Sequence, residues 1–146
     1  MKLYVLNGPN LNLLGVREPD QYGTETFAHL TERIAAHAAA RGIEVIQRQS
    51  NHEGDLVDWI QEAYFARADG LVINPGAYTH TSIALLDALK ATRLRAVEVH
   101  ISRVEAREDF RQISYVRPAC IATVTGRGFA GYLDAVDILL KGAAES

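Results

Sequence analysis

A glutamate and a histidine stand two residues apart in the segment Val97-Glu98-Val99-His100. The alternation of apolar and polar side chains predicts a strand, and its period of two places Glu98 and His100 on the same face. A carboxylate beside an imidazole fixes the tautomer of the ring and favours its charged, proton-donating form. The spacing therefore indicates a general acid, with a purely structural strand-end histidine as the alternative.

A tyrosine and an arginine in the segment NGPNLNLLGVREPDQYG, residues 7–23, could supply the matching base. An unperturbed tyrosine has a pKa of about 10 and is a poor base at neutral pH. A guanidinium roughly 4 Å away, in an effective dielectric constant of about 20, would lower that pKa by about three units before burial opposes it. Arg17 could act in this way on Tyr22. The alternative is a Tyr22 hydroxyl that only caps the loop through a hydrogen bond.

The same segment is long for a connection between a strand and a helix in a compact α/β domain, which is typical of functional loops. Three leucines between positions 11 and 14 could anchor its first half, while Gly15 and Gly23 could act as pivots for the second. We interpret the segment as an active-site lid, and an ordinary surface loop is the alternative.

Apolar patterns elsewhere predict five strands alternating with helices. The predicted strands are 3–7, 43–48, 70–74, 96–100 and 119–125. Four helices are predicted. The first begins after an N-cap at Thr24 and ends at Gly42, and the second carries Leu56, Ile60 and Ala63 on one face. The third spans about 81–91 and the fourth about 129–140. Such alternation predicts one α/β domain, residues 1–146, with a doubly wound parallel sheet in the order 2-1-3-4-5.

Polar residues cluster where three of these strands end. They are Asn7 and Asn10, then Asn74, Tyr78, Thr79 and His80, and finally His100 and Ser102. Ligands of doubly wound sheets bind outside the carboxyl ends of the strands, near the switch point of the strand order. The sequence therefore predicts a site directly after Asn7, Asn74 and His100.

Composition argues against several classes of partner. A net charge of −3 gives no electrostatic footprint for nucleic acid. The lone Cys120 cannot form an internal disulfide, and the first apolar run is too short for a signal peptide or a membrane span, so we expect a cytoplasmic protein without a membrane partner. The five histidines form no metal-binding motif, and we expect no metal.

The residues Gly126-Arg127-Gly128-Phe129-Ala130-Gly131 match the glycine pattern of dinucleotide-binding turns. The pattern follows the last predicted strand, and the chain supplies no later βα unit with a ribose-binding carboxylate. Close packing of the last helix on the sheet explains the glycines, and a flavodoxin-like nucleotide binder stays open as an alternative.

Three long motifs, NGPNLNLLGVREPDQYG, NPGAYTHTSIALLDAL, and EVHIS followed by AREDFR, together resemble the type II 3-dehydroquinate dehydratases over nearly the whole chain. The resemblance implies a flavodoxin-like fold, commonly assembled as a dodecamer of four trimers. It also implies conversion of 3-dehydroquinate to 3-dehydroshikimate and water, an anti elimination without a metal or organic cofactor, in aromatic biosynthesis or quinate breakdown.

The resemblance also assigns roles. Tyr22 matches the family's base, activated by Arg17, Asn10 matches the residue that stabilises the enolate intermediate, and His100, oriented by Glu98, matches the acid. The matching substrate-binding positions are Asn74, His80, Ile101, Ser102 and Arg111, and Asp87 matches a residue that reaches the site of a neighbouring subunit.

The chain departs from the family pattern at Arg103, where asparagine is usual, and at Gln112 and Ile113, where a histidine-containing pair is usual. These departures motivate a second alternative, a non-catalytic paralogue that binds a cyclic polyhydroxy acid.

Overall fold

A five-stranded parallel sheet forms the centre of the molecule. The computed structural model describes residues 1–16, 25–103 and 107–145. The strands are β1 (Lys2–Asn7), β2 (Glu44–Gln49), β3 (Gly70–Asn74), β4 (Ala96–His100) and β5 (Ala122–Thr125). They lie in the order β2-β1-β3-β4-β5, and every neighbouring pair is parallel. The predicted strand order is confirmed.

Helices connect the strands. They are α1 (Phe27–Ala39), α2 (Glu53–Phe65), α3 (Ile83–Thr92) and α4 (Ala130–Glu145). Short 3-10 turns cover Leu11–Leu13, Gly76–His80, Asp109–Arg111 and Arg117–Ala119. The first two of these turns follow β1 and β3 directly, so they form the rim of the sheet where the predicted site lies.

Each face of the sheet packs against two helices, because alternate side chains of a strand point to opposite faces. Leu3 and Val5 of β1 belong to a buried cluster with residues of α1 and α4. Tyr4 and Leu6 belong to a second cluster, formed with residues of α2 and α3. The sheet is therefore doubly wound, as predicted, and both of its faces are covered while the carboxyl ends of the strands remain available for a ligand.

Several predicted boundaries are wrong. The N-cap of α1 is Thr26, whose Oγ1 accepts a hydrogen bond from the backbone N–H of His29 at 3.1 Å, whereas the predicted cap Thr24 lies outside the described residues. The helix predicted from 81 begins at Ile83, after a cap by Ser82. The strand predicted from 119 begins at Ala122, because Pro118 lies in a 3-10 turn and has no N–H for a strand ladder.

The chain segments after β1 and β3 pack directly on each other at Gly8. Its backbone N–H donates to the carbonyl oxygen of Asn74 at 2.8 Å. A Cβ at this position would lie 2.4 Å from the carbonyl oxygen of Pro75, closer than any side chain allows. Gly8 therefore lets the two segments that carry the polar clusters meet at the strand ends.

Candidate active site

A cavity of about 670 Å³ opens at the carboxyl ends of the strands. It lies between the segments that follow β1, β3 and β4, as predicted from the topology. Pro9, Asn10, Leu11, Leu13, Leu14, Gly15, Asn74, Gly76, Ala77, His80, His100, Ile101, Ser102, Arg107 and Arg111 line it. The volume suits a small molecule.

The structure brings most of the predicted site residues to this cavity. Those that line it are Asn10, Asn74, His80, His100, Ile101, Ser102 and Arg111. Glu98 lies behind His100, within the sheet. Asp87 is an exposed residue of α3 and does not line the cavity of its own chain. Tyr22 and Arg17, together with the second half of the predicted lid, lie outside the described residues.

His100 and Glu98 form a close pair. Nε2 of the imidazole lies 2.5 Å from Oε2 of the carboxylate, and both side chains are buried. A carboxylate accepts hydrogen bonds, so Nε2 carries the proton. The other ring nitrogen, Nδ1, is left to exchange a proton with a molecule in the cavity. The strand therefore presents an imidazole of defined tautomer at the cavity wall.

Glu98 is held as a carboxylate by several donors. Arg117 donates from Nε to Oε1 at 3.1 Å and from Nη2 to Oε2 at 3.3 Å. The hydroxyls of Ser114 and Thr123 donate at 3.0 Å and 3.4 Å. Burial opposes the charged form of Glu98, but the hydrogen bonds and charges of His100 and Arg117 outweigh it and lower the pKa of this carboxyl to about 2.

A buried hydrogen-bond chain joins the ends of β1 and β3 to α4. Nδ2 of Asn74 donates to the Tyr132 hydroxyl at 2.9 Å, and this hydroxyl donates to Oδ1 of Asn7 at 2.5 Å. Burial raises the pKa of Tyr132 above its ordinary range, against a smaller opposing effect of Asn74, so the phenol stays protonated. Oδ1 of Asn74 accepts from the backbone of Gly76 at 3.1 Å. The Asn74 amide is therefore held from both ends at the cavity wall.

The turn after β2 holds Asn10 in place. Asn10 adopts a left-handed backbone conformation with φ of 71°, which asparagine tolerates better than most residues. Its backbone N–H donates to Oδ1 of Asn51 at 3.0 Å, and the carbonyl of Asn51 accepts from the Tyr78 hydroxyl at 2.9 Å. The loop that carries Asn10 is therefore tied to two other strand ends.

The cavity wall also presents His80 and Arg111. Nδ1 of His80 lies 2.7 Å from the carbonyl oxygen of Ile113 and must carry a proton there, which leaves Nε2 as an acceptor. Arg111 donates from Nε to Glu108 at 2.8 Å. A guanidinium facing a cavity is well suited to a carboxylate ligand, since it can donate two parallel hydrogen bonds.

The glycine motif holds the segment after β4. The backbone N–H of Gly126 lies within hydrogen-bonding distance of the carbonyl oxygens of His100, at 3.3 Å, and Ser102, at 3.2 Å. Gly128 donates to Ile101 at 3.0 Å. Gly126 and Gly128 have φ of 73° and 58°, so they form a left-handed turn, while a Cβ at Gly131 would press on Val124. Packing of the last helix thus explains one glycine, and the other two serve this turn.

Some residues of the site were not predicted from the sequence. Arg117 and Ser114, which hold Glu98, stand in a segment that reads as an ordinary Arg-Pro turn. Tyr132 reads as one more core residue of the last helix, and Asn51 as part of a polar turn. Arg107 lies in the AREDFR motif, which was the one signal available for it.

Two of the three positions that depart from the family pattern, Arg103 and Ile113, are not among the hydrogen-bond partners of Glu98. Arg103 packs along Gly126, where its Cγ would lie 2.5 Å from an added Cβ. Ile113 contributes its backbone carbonyl to His80, and its side chain is exposed.

The described residues contain neither a metal-binding cluster nor a membrane-spanning helix. Within residues 1–16, 25–103 and 107–145, no three histidine, cysteine, aspartate or glutamate side chains come together as a metal site would require. None of the helices in these ranges has the length and apolar character needed to cross a membrane.

The fold and the cavity define a class of protein: a flavodoxin-like α/β protein with a paired histidine and glutamate at the end of its fourth strand. The chain belongs, more narrowly, to the class II dehydroquinases, since the sequence profile of the family, Dehydroquinase class II, matches residues 1–140. The resemblance noted in the sequence is therefore confirmed.

Individual relatives agree with this family. The chain is 57% identical over 130 residues to a 3-dehydroquinate dehydratase of Rhodopseudomonas palustris (strain BisA53), covering 89% of this chain and 86% of the relative. It is 54% identical over 144 residues to a 3-dehydroquinate dehydratase of Variovorax paradoxus (strain S110), covering 95% and 98%. The crystal structure of a type II dehydroquinase from Butyrivibrio crossotus DSM 2876 superimposes with a TM-score of 0.91 at 50% identity, covering 96% of this chain and 97% of the other.

Proposed function

We propose that this protein is a hydro-lyase, a 3-dehydroquinate dehydratase that eliminates water from 3-dehydroquinate to give 3-dehydroshikimate. The observation that carries the proposal is the family match along residues 1–140, with relatives of that activity at more than half identical residues. The His100–Glu98 pair at the wall of a cavity of suitable size supports it from the structure.

The proposed reaction is an anti elimination through an enolate. The phenolate of Tyr22, activated by Arg17, removes a proton from C2 next to the substrate ketone. The electrons of that C–H bond form the enolate, which Asn10 stabilises by positioning a water or hydrogen bonds. His100 then protonates the hydroxyl on C1 as the C–O bond breaks, and water leaves. Proton donation by a positioned histidine contributes typically about 10²–10⁴-fold to a rate.

The substrate-binding part of the proposal rests on the cavity walls. Arg111 would bind the carboxylate of the substrate, a geometry that its guanidinium favours. Asn74 and His80 would bind hydroxyls, because their orientations are fixed by hydrogen bonds behind the cavity. Ile101 and Ser102 would contribute through the segment after β4, which Gly126 and Gly128 hold by its carbonyl oxygens. No cofactor enters this scheme.

We propose further that the site is completed in an oligomer, as a dodecamer of four trimers in which Asp87 reaches the site of a neighbour. Asp87 lies one turn after Ile83 on α3, and both side chains are exposed. Phe110 and Ile113 add two large exposed apolar side chains on the segment that His80 ties to the start of this helix. Such a patch beside a charged residue supports a contact with another copy. A cytoplasmic location remains part of the proposal.

The two alternatives have less support. A flavodoxin-like nucleotide binder would need the backbone N–H groups of Gly126 and Gly128 for phosphate, but both already donate within the chain. A non-catalytic binder of polyhydroxy acids was motivated by Arg103 and Ile113, whose side chains do not line the cavity.

The proposal is tested by following the absorbance of the conjugated enone when the purified protein meets 3-dehydroquinate. We expect turnover by the native chain and none by Tyr22→Phe, which keeps the ring and loses the ionisable hydroxyl. Tyr64→Phe, at an exposed tyrosine of α2, is the matched control and should react at the native rate.

Near-normal turnover by Tyr22→Phe would exclude this tyrosine as the base. A native chain that binds the substrate and does not turn it over would instead favour the non-catalytic alternative.

A further inference from the structure

Arg117 lies between solvent and the buried carboxylate of Glu98. Its guanidinium contacts both carboxylate oxygens, Nε to Oε1 at 3.1 Å and Nη2 to Oε2 at 3.3 Å. The Arg117 side chain is 47% exposed, whereas Glu98 is 0% exposed. A partly solvated cation thus covers a carboxylate that has no contact with water.

The turn that carries Arg117 is built against Glu98. The Ser114 hydroxyl donates to Oε2 of Glu98 at 3.0 Å and accepts from the backbone N–H of Arg117 at 3.3 Å. The following residue, Pro118, is the proline at the start of the Arg117–Ala119 turn and restricts its backbone. The position of the guanidinium is therefore defined by local structure as well as by its charge.

The groups that face Glu98 come from three elements. On β4 itself there is His100, and β5 contributes the hydroxyl of Thr123, at 3.4 Å. The segment after the turn contributes the Cys120 thiol, whose pKa burial and the nearby Glu98 charge raise to about 12, so it stays neutral. Within the described residues, Arg117 is thus the permanent cation in contact with Glu98.

The reaction changes the charge on one side of Glu98 only. When His100 gives its proton to the departing hydroxyl, the C–O bond breaks, its electrons leave with the oxygen, and the imidazole becomes neutral. If Arg117 were absent, Glu98 would then be a buried negative charge with no cation beside it, and its burial would cost free energy. Arg117 cannot deprotonate in a protein, so its charge is present before and after the proton transfer.

We propose that Arg117 is a positioning residue for the acid. It holds Glu98 ionised throughout the cycle, so that Glu98 always accepts the Nε2 proton of His100 and Nδ1 always faces the cavity. This inference rests on the proposed function for the catalytic role of His100, whereas the effect on the ring is a property of the protein alone.

The test compares three variants. Arg117→Gln keeps hydrogen-bond donors and loses the charge, and Arg117→Lys keeps the charge. Arg48→Gln is the matched control, because the Arg48 side chain, on β2 at the opposite edge of the sheet, is about as exposed as that of Arg117 and pairs with Glu62 at 2.8 Å. It should leave turnover unchanged.

The first measurement is the ¹⁵N spectrum of histidine-labelled protein in the solid state without substrate, with the His100 signals identified by their loss in His100→Asn. We expect every form of the His100 ring, neutral or charged, to carry a proton on Nε2 in the native chain, in Arg117→Lys and in Arg48→Gln. In Arg117→Gln we expect an additional neutral form that is protonated on Nδ1 alone. Absence of that Nδ1–H form in Arg117→Gln would overturn the proposal whether or not the native chain turns over substrate.

The second measurement is kcat as a function of pH. At each pH the kcat of the native chain is divided by that of the variant, so that the effects of titrating groups shared by both proteins cancel. For Arg117→Gln we expect kcat to fall about tenfold or more near pH 7 with KM within about twofold. The ratio should grow several-fold more towards pH 5, because a carboxylate that has lost a cation about 4 Å away takes up a proton more easily. Arg117→Lys should recover most of the loss. A ratio that is constant with pH, or a loss of the same size in Arg117→Lys, would indicate a merely structural role and overturn the proposal.

Discussion

Replacing Glu98 with glutamine removes the negative charge at the centre of the site while keeping the size of the side chain. In the native chain this carboxylate accepts hydrogen bonds from His100 and Arg117 inside the protein. The glutamine brings an NH₂ group that cannot accept, and one donor must lose its partner. We expect a large loss of stability at neutral pH, on the order of 3–5 kcal/mol, as is typical when one partner of a buried ion pair is removed.

The pH dependence of this loss can be worked out from the pKa of Glu98. Its value falls from 4.5 to about 2 in the folded state, mainly through His100 and Arg117 and against the opposing effect of burial. Each unit corresponds to 1.36 kcal/mol, so ionised Glu98 contributes about 3 kcal/mol to the free energy of unfolding. Because the folded pKa is the lower one, this contribution is fully present above about pH 5 and is lost as the pH falls through 4.5 towards 2.

The assay is urea unfolding of the native chain and of Glu98→Gln at a series of pH values from 7 to 3. Protein concentration is held constant, since any association adds a concentration-dependent term. The difference between the two free energies of unfolding cancels the titrating groups distant from Glu98, and we expect it to shrink by about 2 kcal/mol over this range. A difference that stays constant with pH would mean that Glu98 is not an ionised, hydrogen-bonded carboxylate in the folded protein.

Three further substitutions test the framework of the site. Gly8→Ala should lower the free energy of unfolding by about 1–3 kcal/mol, because its Cβ would meet a backbone carbonyl at 2.4 Å. The control Gly54→Ala, in open space on α2, should be neutral or stabilising. Equal effects of the two substitutions in urea unfolding would contradict this. Tyr132→Phe should cost about 1–3 kcal/mol in the same assay and should also raise KM, since two buried asparagines lose a partner, and native values of both would refute the role of the hydroxyl. Arg111→Lys should raise KM for 3-dehydroquinate about tenfold or more with a smaller change in kcat, and an unchanged KM would remove Arg111 from the carboxylate site.

The parts of the fold that the sequence predicted well are those with a strong local pattern. The bounds predicted for β3 and β4 agree with the structure, because β3 is an apolar run that ends at Asn74 and β4 alternates apolar and polar residues up to His100. The start of β5 was wrong because Ala119 and Cys120 are apolar and read as strand, although Pro118 places the preceding residues in a 3-10 turn. Local hydrophobicity does not register the missing N–H of a proline.

The site was predictable where a motif or a strand end marks it, and not where it depends on contacts distant in sequence. Glu98 and His100 were found because their spacing of two is itself the geometry of a strand. Arg117 reaches Glu98 from 19 residues away, and Tyr132 reaches Asn7 from 125 residues away. No local pattern distinguishes these two side chains from a surface arginine and a core aromatic, so only the tertiary structure identifies them.

The hydrogen bonds of Tyr132 affect the order in which parts of the protein can fold during synthesis. The two asparagines that end β1 and β3 are synthesised early, while the tyrosine that orients them lies in α4, which follows all five strands along the chain. A chain growing from the ribosome can pair its first strands, since N-terminal parts fold first. It cannot orient the Asn74 amide until this helix has docked. Assembly of the ligand-binding edge is therefore coupled to synthesis of α4, and a growing chain that still lacks this helix would have a sheet without a working site.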